Sequence, residues 1–329
     1  MATQDETREA APHIATAVQA AFASAGDSAL SVRHAGLDFL RISGSQRLDF
    51  LHRLSTNDVA ALQPGESRRT VLTTPIARII AAPLLLVTAQ DVCLLVPTGQ
   101  GETVRNWLAR HIFFQDQVSL GPVTRLLHHG CYGPRSQDFV RAQLGVEPPE
   151  ALDSCLELEE GFVWSVRRPA PGGHEWVVPA LPGEAAPDDP GSPARLAYEA
   201  LRIEDGLPLF GAEITPDRLP PEVGLDEAVS LRKGCYIGQE ILARMETRGR
   251  RAWRLAGMRL PRGFPIPQVL HQQEQIAGTL TSAAWSPRHG WIGLAVVRPD
   301  SLETDGGRVA LSEEEGRLVE LPFSPPRRV

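Results

Sequence analysis

The spacing of hydrophobic positions predicts alternating helices and strands in the first two thirds of the chain. Short apolar runs predict strands at residues 38–42, 70–72, 79–87 and 92–96. Apolar residues at helical spacing and alanine-rich stretches predict helices at residues 14–25, 47–54, 102–112, 136–144 and 193–204. This interleaving predicts an α+β fold rather than a helical bundle.

The pattern changes after residue 167. Residues 168–193 are rich in proline, glycine and aspartate, which predicts a short strand at 175–178 and then a long surface loop. From Trp253 onward, short strands alternate with glycine and proline turns, as at 277–281 and 291–297. Such spacing is typical of a small all-β barrel or sandwich.

The composition is that of a globular protein, with 329 residues, 42% hydrophobic and 22% charged. A formal net charge of -7 argues against adhesion of the whole surface to nucleic acid or membranes. The longest apolar run, residues 79–87, is shorter than the roughly 18 residues of a membrane helix. Residues 1–12 are polar and acidic, without the basic start of a secretory signal, so we expect a cytoplasmic protein.

The cysteines indicate neither a disulfide framework nor a metal site. The chain has four, at wide and irregular spacing: Cys93, Cys131, Cys155 and Cys235. His128 and His129 precede Cys131, but adjacent histidines of a strand rarely point at one ion, and no partner pair follows at zinc-site spacing. We expect a strand that enters a turn at Gly130, and a core position for Cys93.

Lys233 is the only lysine of the chain, and it stands two residues before Cys235. Keeping one primary ammonium in an arginine-rich sequence suggests a position that a planar guanidinium does not suit. Gly234 and Gly238 flank the cysteine and predict a tight loop. If the segment is extended, the ammonium lies roughly 7 Å from the sulfur and favours a thiolate. The alternative is a structural ammonium paired with a carboxylate such as Glu240.

The eight residues KGCYIGQE, from Lys233 to Glu240, and their extension to Arg244 resemble the signature of the YgfZ family of folate-binding proteins. This family is related to the T-protein, the aminomethyltransferase of the glycine cleavage system. The resemblance extends from about residue 36 to residue 298. It includes the segments at 44–59, 202–213, 221–226 and 278–295.

The resemblance implies roles for particular residues. Cys235 would be the functional thiol, with Lys233 tuning it. Glu204 falls on the acidic position that holds the pteridine ring in the T-protein. The other residues implied to bind the cofactor or shape its pocket are Asn57, Arg78, Tyr236, Gln239 and Arg244. The resemblance implies no metal ligand.

One departure distinguishes the two relatives. The T-protein carries an acidic residue within a Gly-Gly-x-x-Asp-Asp pattern, whereas residues 75–82 here read PIARIIAA and contain no carboxylate. Alanine or isoleucine cannot stabilise a charge that develops on the folate nitrogen, so aminomethyl transfer is disfavoured. Arg78 agrees with the YgfZ pattern, whereas Ala77 stands where that family usually has glycine.

The resemblance also implies three domains around a central opening that holds folate. The expected divisions are a tail and helix at 1–30, a first α+β segment at 31–115 completed by about 198–246, a second α+β domain at 116–197, and a C-terminal β-barrel at 247–329. A basic cluster follows the cysteine motif: Arg248, Arg250, Arg251 and Arg254. It is either a solvated linker or a site for an acidic partner such as the glutamate tail of folate.

The function implied by the resemblance is binding of tetrahydrofolate or a derivative, in support of the assembly or repair of iron-sulfur enzymes. Expected clients include tRNA-methylthiolating enzymes, and expected partners are reduced folate and iron-sulfur enzymes or assembly proteins, without direct nucleic-acid or membrane contact. Two alternatives stay open. One is a folate-dependent one-carbon transferase or demethylase, with Asp58 as the nearby carboxylate. The other is a non-catalytic interaction scaffold.

Overall fold

The computed structural model describes residues 12–180, 187–249 and 251–323, so Arg250 of the basic cluster lies outside the described residues. The α-helices of the described part are α1 (Pro12–Asp27), α2 (Arg47–Leu54), α3 (Gly101–Ala109), α4 (Ser136–Leu144), α5 (Pro193–Glu204) and α6 (Gln239–Arg248). The first ten strands are β1 (Leu30–Ser43), β2 (Ser67–Arg69), β3 (Leu72–Thr73), β4 (Ile79–Ala81), β5 (Leu84–Val87), β6 (Asp91–Pro97), β7 (Ser119–Tyr132), β8 (Cys155–Leu158), β9 (Gly161–Val166) and β10 (Gly173–Pro179). The C-terminal strands are β11 (Arg254–Arg259), β12 (Gln268–Gln272), β13 (Gln275–Ser286), β14 (Gly290–Val297), β15 (Arg308–Leu311) and β16 (Glu314–Val319). None of the helices so described has the length and apolar character needed to cross a membrane.

One antiparallel sheet spans both of the predicted α+β segments. Its strand order is β2-β5-β6-β1-β7-β10-β9-β8. Residues 37–43 of β1 pair with β6, and the other edge of β1 pairs with β7 along nearly its whole length. The 14-residue β1 therefore joins the strands that precede residue 115 to those that follow it.

The C-terminal strands close into a six-stranded barrel in the order β11-β14-β13-β12-β15-β16. Helix α5 lies between this barrel and the sheet, because it contacts β1 on one side and β13 and β14 on the other. Its residues Leu201 and Ile203 share one apolar core with Val32 of β1 and Leu294 of β14. The predicted α+β arrangement with a C-terminal barrel is confirmed.

The predicted bounds of α5 are confirmed, and its start has a clear local cause. Ser192 precedes the helix in an extended conformation, and its hydroxyl accepts a hydrogen bond from the backbone N–H of Arg195. Pro193 occupies the first helical position, where its missing N–H costs nothing. The helix ends at Glu204 and so places that carboxylate next to the barrel.

The prediction of one strand at 79–87 is wrong. The chain forms β4 and β5 instead, separated by Ala82 and Pro83. Proline has no N–H for a strand ladder, and the two pieces join different partners, β4 with β3 and β5 with β6. The predicted strand at 70–72 is also displaced, because the paired residues are those of β2 and β3.

The predicted turn at Gly130 is also wrong, because β7 continues to Tyr132. Gly130 lies beneath two side chains of the same sheet face. A Cβ at this position would lie 2.4 Å from Tyr132 Oη and 2.6 Å from His34 Nε2. Gly130 therefore provides space for polar side chains rather than a turn.

We expect Gly130→Ala to lower the free energy of unfolding by roughly 1 to 3 kcal/mol, because the methyl group displaces Tyr132 and His34. Urea denaturation followed by circular dichroism measures this. Gly26→Ala in α1 is the control, since nothing lies within 4 Å of the added Cβ. The control should be neutral or stabilising by up to about 1 kcal/mol. Equal losses in both variants would contradict the steric explanation.

Candidate functional site

The predicted cysteine motif forms an irregular loop that leads into α6. Cys235 is exposed on this loop. Gly238 ends the loop with a φ of 84°, immediately before the helix. A Cβ at Gly238 would lie 2.9 Å from both Thr73 Oγ1 and the carbonyl oxygen of Thr74. Gly238 is thus required both for its backbone conformation and for the close approach of the two segments.

The cysteine loop packs on the segment that contains Ala77. The hydroxyl of Thr73 donates a hydrogen bond to the carbonyl of Ile237 at 2.6 Å. Tyr236 and Leu242 share an apolar cluster with Ala77. With a φ of 61°, Ala77 adopts the left-handed conformation that glycine adopts most readily. The alanine therefore keeps the backbone shape that glycine would permit.

Lys233 is buried under the loop, and three backbone carbonyls hold its ammonium. Nζ donates to the carbonyl oxygens of His52, Ser55 and Asn57 at 2.5, 2.7 and 2.8 Å. An ammonium has three donors in three directions, whereas the guanidinium of arginine is a planar fork. Burial lowers the pKa of Lys233 from 10.5 to about 8, and the charge of Asp58 opposes this shift. This geometry explains why the position requires lysine.

The predicted pairing of Lys233 with Glu240 is wrong. Glu240 forms an exposed ion pair with Arg244 at 2.5 Å on α6 instead. The segment is not extended either, because residues 231–234 form bends, with Lys233 buried and Cys235 exposed. Lys233 anchors the loop to residues 52–57, and this anchor determines where Cys235 is presented. Tuning of the thiol by Lys233 stays a prediction.

Asn57 strengthens the same anchor. Its side-chain amide donates to the carbonyls of Arg69 and Glu227 at 2.9 and 3.0 Å. Its own backbone carbonyl accepts a hydrogen bond from the ammonium of Lys233. Asn57 therefore fixes the chain beneath the cysteine loop, and its predicted contact with a cofactor stays a prediction.

The remaining predicted residues lie around the loop in different environments. Tyr236 is buried, and within the described residues its hydroxyl has no hydrogen-bond partner. The Tyr236 ring centroid lies 4.9 Å from Lys233 Nζ, which forms a cation–π contact, and burial raises the pKa of Tyr236 to about 12. Gln239 is half-buried as the first residue of α6. Arg78 is half-buried and donates to the carbonyl of Asp217.

Glu204 lies where α5 meets the barrel. Its carboxylate accepts hydrogen bonds from the hydroxyl of Ser286 and the guanidinium of Arg288, and its side chain is 2% exposed. Glu213 also contacts the barrel, since its carboxylate accepts a hydrogen bond from the hydroxyl of Ser282 at 2.6 Å. This acidic segment therefore connects α5 to the barrel. The predicted contact of Glu204 with a pteridine stays a prediction.

A second group of polar side chains, which the sequence did not reveal, lies around Gly130. We name it the Glu175 cluster, and its members are His34, His128, Tyr132, Glu175 and Arg195. The strand register brings it together, because His34 pairs with His128 and Gly130 pairs with Glu175. Arg195 from α5 completes it, with Nη1 lying 3.0 Å from His34 Nδ1.

The hydrogen bonds of the Glu175 cluster have a defined direction. Arginine is always a donor, so His34 Nδ1 accepts and His34 Nε2 carries the proton. That nitrogen lies 2.8 Å from Tyr132 Oη, and the Tyr132 hydroxyl donates to Glu175 Oε1 at 2.7 Å. His128 Nε2 lies 3.2 Å from Glu175 Oε2. The chain of donors therefore ends on the Glu175 carboxylate.

The pKa values in the Glu175 cluster agree with this direction. Burial, together with the charge of His128, lowers the pKa of His34 well below 6.5. Burial alone would raise the pKa of Glu175. The hydrogen bond and charge of His128 and the hydrogen bond from Tyr132 outweigh burial and lower that pKa to about 2. Glu175 is therefore an ionised acceptor at neutral pH.

The same atoms have a spacing that suits a metal ion, since the ligand atoms of His34, His128 and Glu175 lie within 4.8 Å of one another. A metal-bound histidine usually donates its other ring N–H to an acceptor. The other nitrogen of His34 faces the donor Arg195 instead. The tautomer is thus unsuited to a metal at Nε2, and we interpret the group as a hydrogen-bonded cluster.

Arg69 connects the cysteine-loop anchor with the Glu175 cluster. Its carbonyl accepts the hydrogen bond from Asn57, and the charge of Glu175 acts on its guanidinium.

The fold resembles that of a solved aminomethyltransferase. Aminomethyltransferase T of the glycine cleavage system from Bartonella henselae matches with a TM-score of 0.77 at 22% identity, over 93% of this chain and 89% of that one. At this identity the match shows the fold alone. It confirms the expected T-protein-like architecture.

Similar sequences carry related names. The "Putative transferase At1g60990, chloroplastic" of Arabidopsis thaliana is 28% identical over 86% of this chain and 68% of that protein. The aminomethyltransferase of Chlorobium chlorochromatii is 28% identical over 78% of this chain and 74% of that protein. The aminomethyltransferase of Bacillus subtilis is 26% identical over 85% and 82%, respectively. No family model matches the chain. The homologues are thus aminomethyltransferase-like proteins, which supports the wider superfamily and leaves the YgfZ resemblance untested.

Lys233→Met should lower the free energy of unfolding by about 2 to 4 kcal/mol, because buried carbonyls lose their donor. Lys233→Arg should lose nearly as much, since the planar fork cannot serve three converging acceptors. Urea denaturation measures both losses. Arg244→Met, which removes an exposed cation, is the control and should change stability by less than about 0.5 kcal/mol. Wild-type behaviour of Lys233→Arg would refute the explanation for the single lysine.

Glu175 should make the protein sensitive to acid. Its folded-state pKa of about 2 lies below the 4.5 of an unperturbed glutamate. The stabilisation is therefore complete above about pH 4.5 and is lost as the pH falls from 4.5 to 2. Wild-type protein should lose on the order of 3 kcal/mol more than Glu175→Gln over this window, measured by urea denaturation at each pH. Parallel pH profiles for the two proteins would contradict the assignment, and Glu240→Gln provides an exposed control.

Proposed function

We propose that the protein binds tetrahydrofolate or a derivative and supports the assembly or repair of iron-sulfur enzymes, including tRNA-methylthiolating enzymes. The observation that carries this proposal is the exposed Cys235 on a loop that Lys233 and Asn57 hold in place. An exposed thiol on a fixed loop is accessible to a partner protein. The proposed partners are iron-sulfur enzymes or assembly proteins, and the proposed location is the cytoplasm.

Recognition of a pteridine requires an acceptor for its adjacent ring N–H and amino groups, and a carboxylate supplies two such acceptors. Glu204 is the acid that the resemblance indicates, but Arg288 and Ser286 already bind its oxygens and its side chain is 2% exposed. Glu175 is a second candidate. Its oxygens are also bonded, to Tyr132 and His128, but its side chain is 13% exposed and it is ionised at neutral pH.

One-carbon transfer is the second candidate function, favoured by the names of the similar proteins. The segment at 75–82 argues against it, because no carboxylate is available there to stabilise charge on a folate nitrogen. Asp58 directly follows Asn57, lies 3.4 Å from His52 Nδ1 and is 54% exposed. Turnover of a methylated amine with tetrahydrofolate, lost in Asp58→Asn, would favour this second function.

The test is calorimetric titration with tetrahydrofolate under anaerobic conditions. Wild-type protein should bind saturably, and the variant that removes the pteridine acceptor, Glu204→Gln or Glu175→Gln, should bind at least about tenfold more weakly. Glu240→Gln, which changes an exposed glutamate on α6, is the control and should bind as wild type does. No saturable binding by the wild-type protein would refute the folate proposal and favour a scaffold.

Cys235→Ser separates folate binding from the role of the thiol. This variant should bind tetrahydrofolate like the wild-type protein. In cells that lack the endogenous protein, it should fail to restore the activity of iron-sulfur enzymes. Full restoration by Cys235→Ser would refute a role for the thiol. Full restoration by a variant that no longer binds folate would indicate a scaffold instead.

A further inference from the structure

A cavity of about 550 Å³ lies where the barrel meets the rest of the protein. Its walls include Arg168 before β10, Asp205 at the end of α5, Met245 of α6, Leu255 of β11 and Leu321 after β16. This volume, and a position between separately packed parts of a chain, are typical of sites for small molecules. Neither the cysteine loop nor the Glu175 cluster contributes to its lining.

Three arginines from two segments line this cavity: Arg168 before β10, and Arg251 and Arg254 around the start of β11. Arg251 pairs with Asp226 at 2.6 Å and Arg254 with Glu320 at 2.5 Å. Arg168 lies farther from its acidic partner, at 3.5 Å from Glu227. The carboxylates of all three pairs are at least half exposed to solvent. Such exposed pairs contribute about 1 kcal/mol or less, so a bound anion can replace them.

The guanidinium groups also have unused donors. Each has five N–H groups in a fixed fork. Among the described residues, Arg251 uses one nitrogen for the carbonyl of Pro221 and one for Asp226. Arg254 uses two nitrogens for Glu320, and Arg168 uses one for the carbonyl of Asp205. Donors therefore remain on all three side chains.

The rest of the lining suits an organic molecule rather than an inorganic ion. Met245, Leu255 and Leu321 supply apolar walls, and nothing lies within 4 Å of a Cβ placed on Gly249. Three acids also line the cavity, namely Asp205, Asp226 and Glu246, and Asp226 is the partner of Arg251. These acids disfavour a ligand that is negatively charged over its whole surface, so the anionic groups of a ligand must lie at the guanidinium groups.

We propose that this cavity binds an organic anion that carries at least two negative groups on an apolar body, such as a polycarboxylate or a phosphate ester. The arginines bind the anionic groups with charge-assisted, bidentate hydrogen bonds. The apolar walls cover the carbon skeleton. This site does not depend on folate binding, because neither the lining nor the proposed ligand requires a pteridine.

The test is titration calorimetry of the full chain at low ionic strength with three probes, namely citrate, pyrophosphate and tri-γ-glutamate. At least one probe should bind saturably with one site per chain. Arg251→Gln and Arg254→Gln should each weaken that binding about tenfold, whereas the charge-matched Arg110→Gln on the exposed end of α3 should not. Binding of citrate or tri-γ-glutamate alone assigns the site to carboxylates, and binding of pyrophosphate alone assigns it to phosphates.

A further variant keeps the proposal falsifiable if the arginine variants fold poorly. Glu320→Gln removes the acid that occupies Arg254, so it should strengthen binding of the same probe several-fold. Absence of saturable binding by all three probes would overturn the proposal. Equal weakening in Arg110→Gln and Arg251→Gln would also overturn it, because it would show a general effect of charge rather than a site.

Discussion

Strand β1 is the element on which the rest of the structure depends, because its two edges serve two different halves of one sheet. The two halves are joined only through β1, since β6 and β7 lie on its opposite sides and are not adjacent in this strand order. The same pairing sets the register that places His34 beside His128 and faces Gly130 with Glu175. A buried polar cluster formed by three strands and a helix thus follows from the position of a single strand.

The cysteine loop depends on a different kind of constraint. It has no regular ladder of backbone hydrogen bonds, so side chains must determine its position. Lys233 supplies three donors from below, Gly238 and Ala77 permit close contact with the neighbouring segment, and Tyr236 fills the space between them. Exposure of Cys235 is therefore compatible with a fixed location. The loop can present its thiol without the mobility usual for exposed loops.

Much of the fold could be predicted from the sequence, because α2 and α4 have apolar residues at helical spacing and α5 adds a local start signal at Ser192 and Pro193. The cysteine motif also predicted a loop and singled out Lys233. The partners of Lys233 could not be predicted, because carbonyl groups carry no sequence signal and His52 lies 181 positions away. The Glu175 cluster was missed for a similar reason. Its members are distant in sequence, and Gly130 looked like a turn because the side chains that require its space come from other positions.

Burial of Lys233 has a consequence for the chemistry of the protein surface. The chain contains no other lysine, and this one is 8% exposed with its ammonium bonded to backbone. The folded protein therefore offers no accessible ε-amino group for acylation, ubiquitin-type conjugation or amine-reactive labelling. Any such adduct at Lys233 would show that the cysteine loop had opened and that the ammonium had left the carbonyls of residues 52–57. One residue could thus serve as a chemical reporter of loop opening, with no background from other lysines.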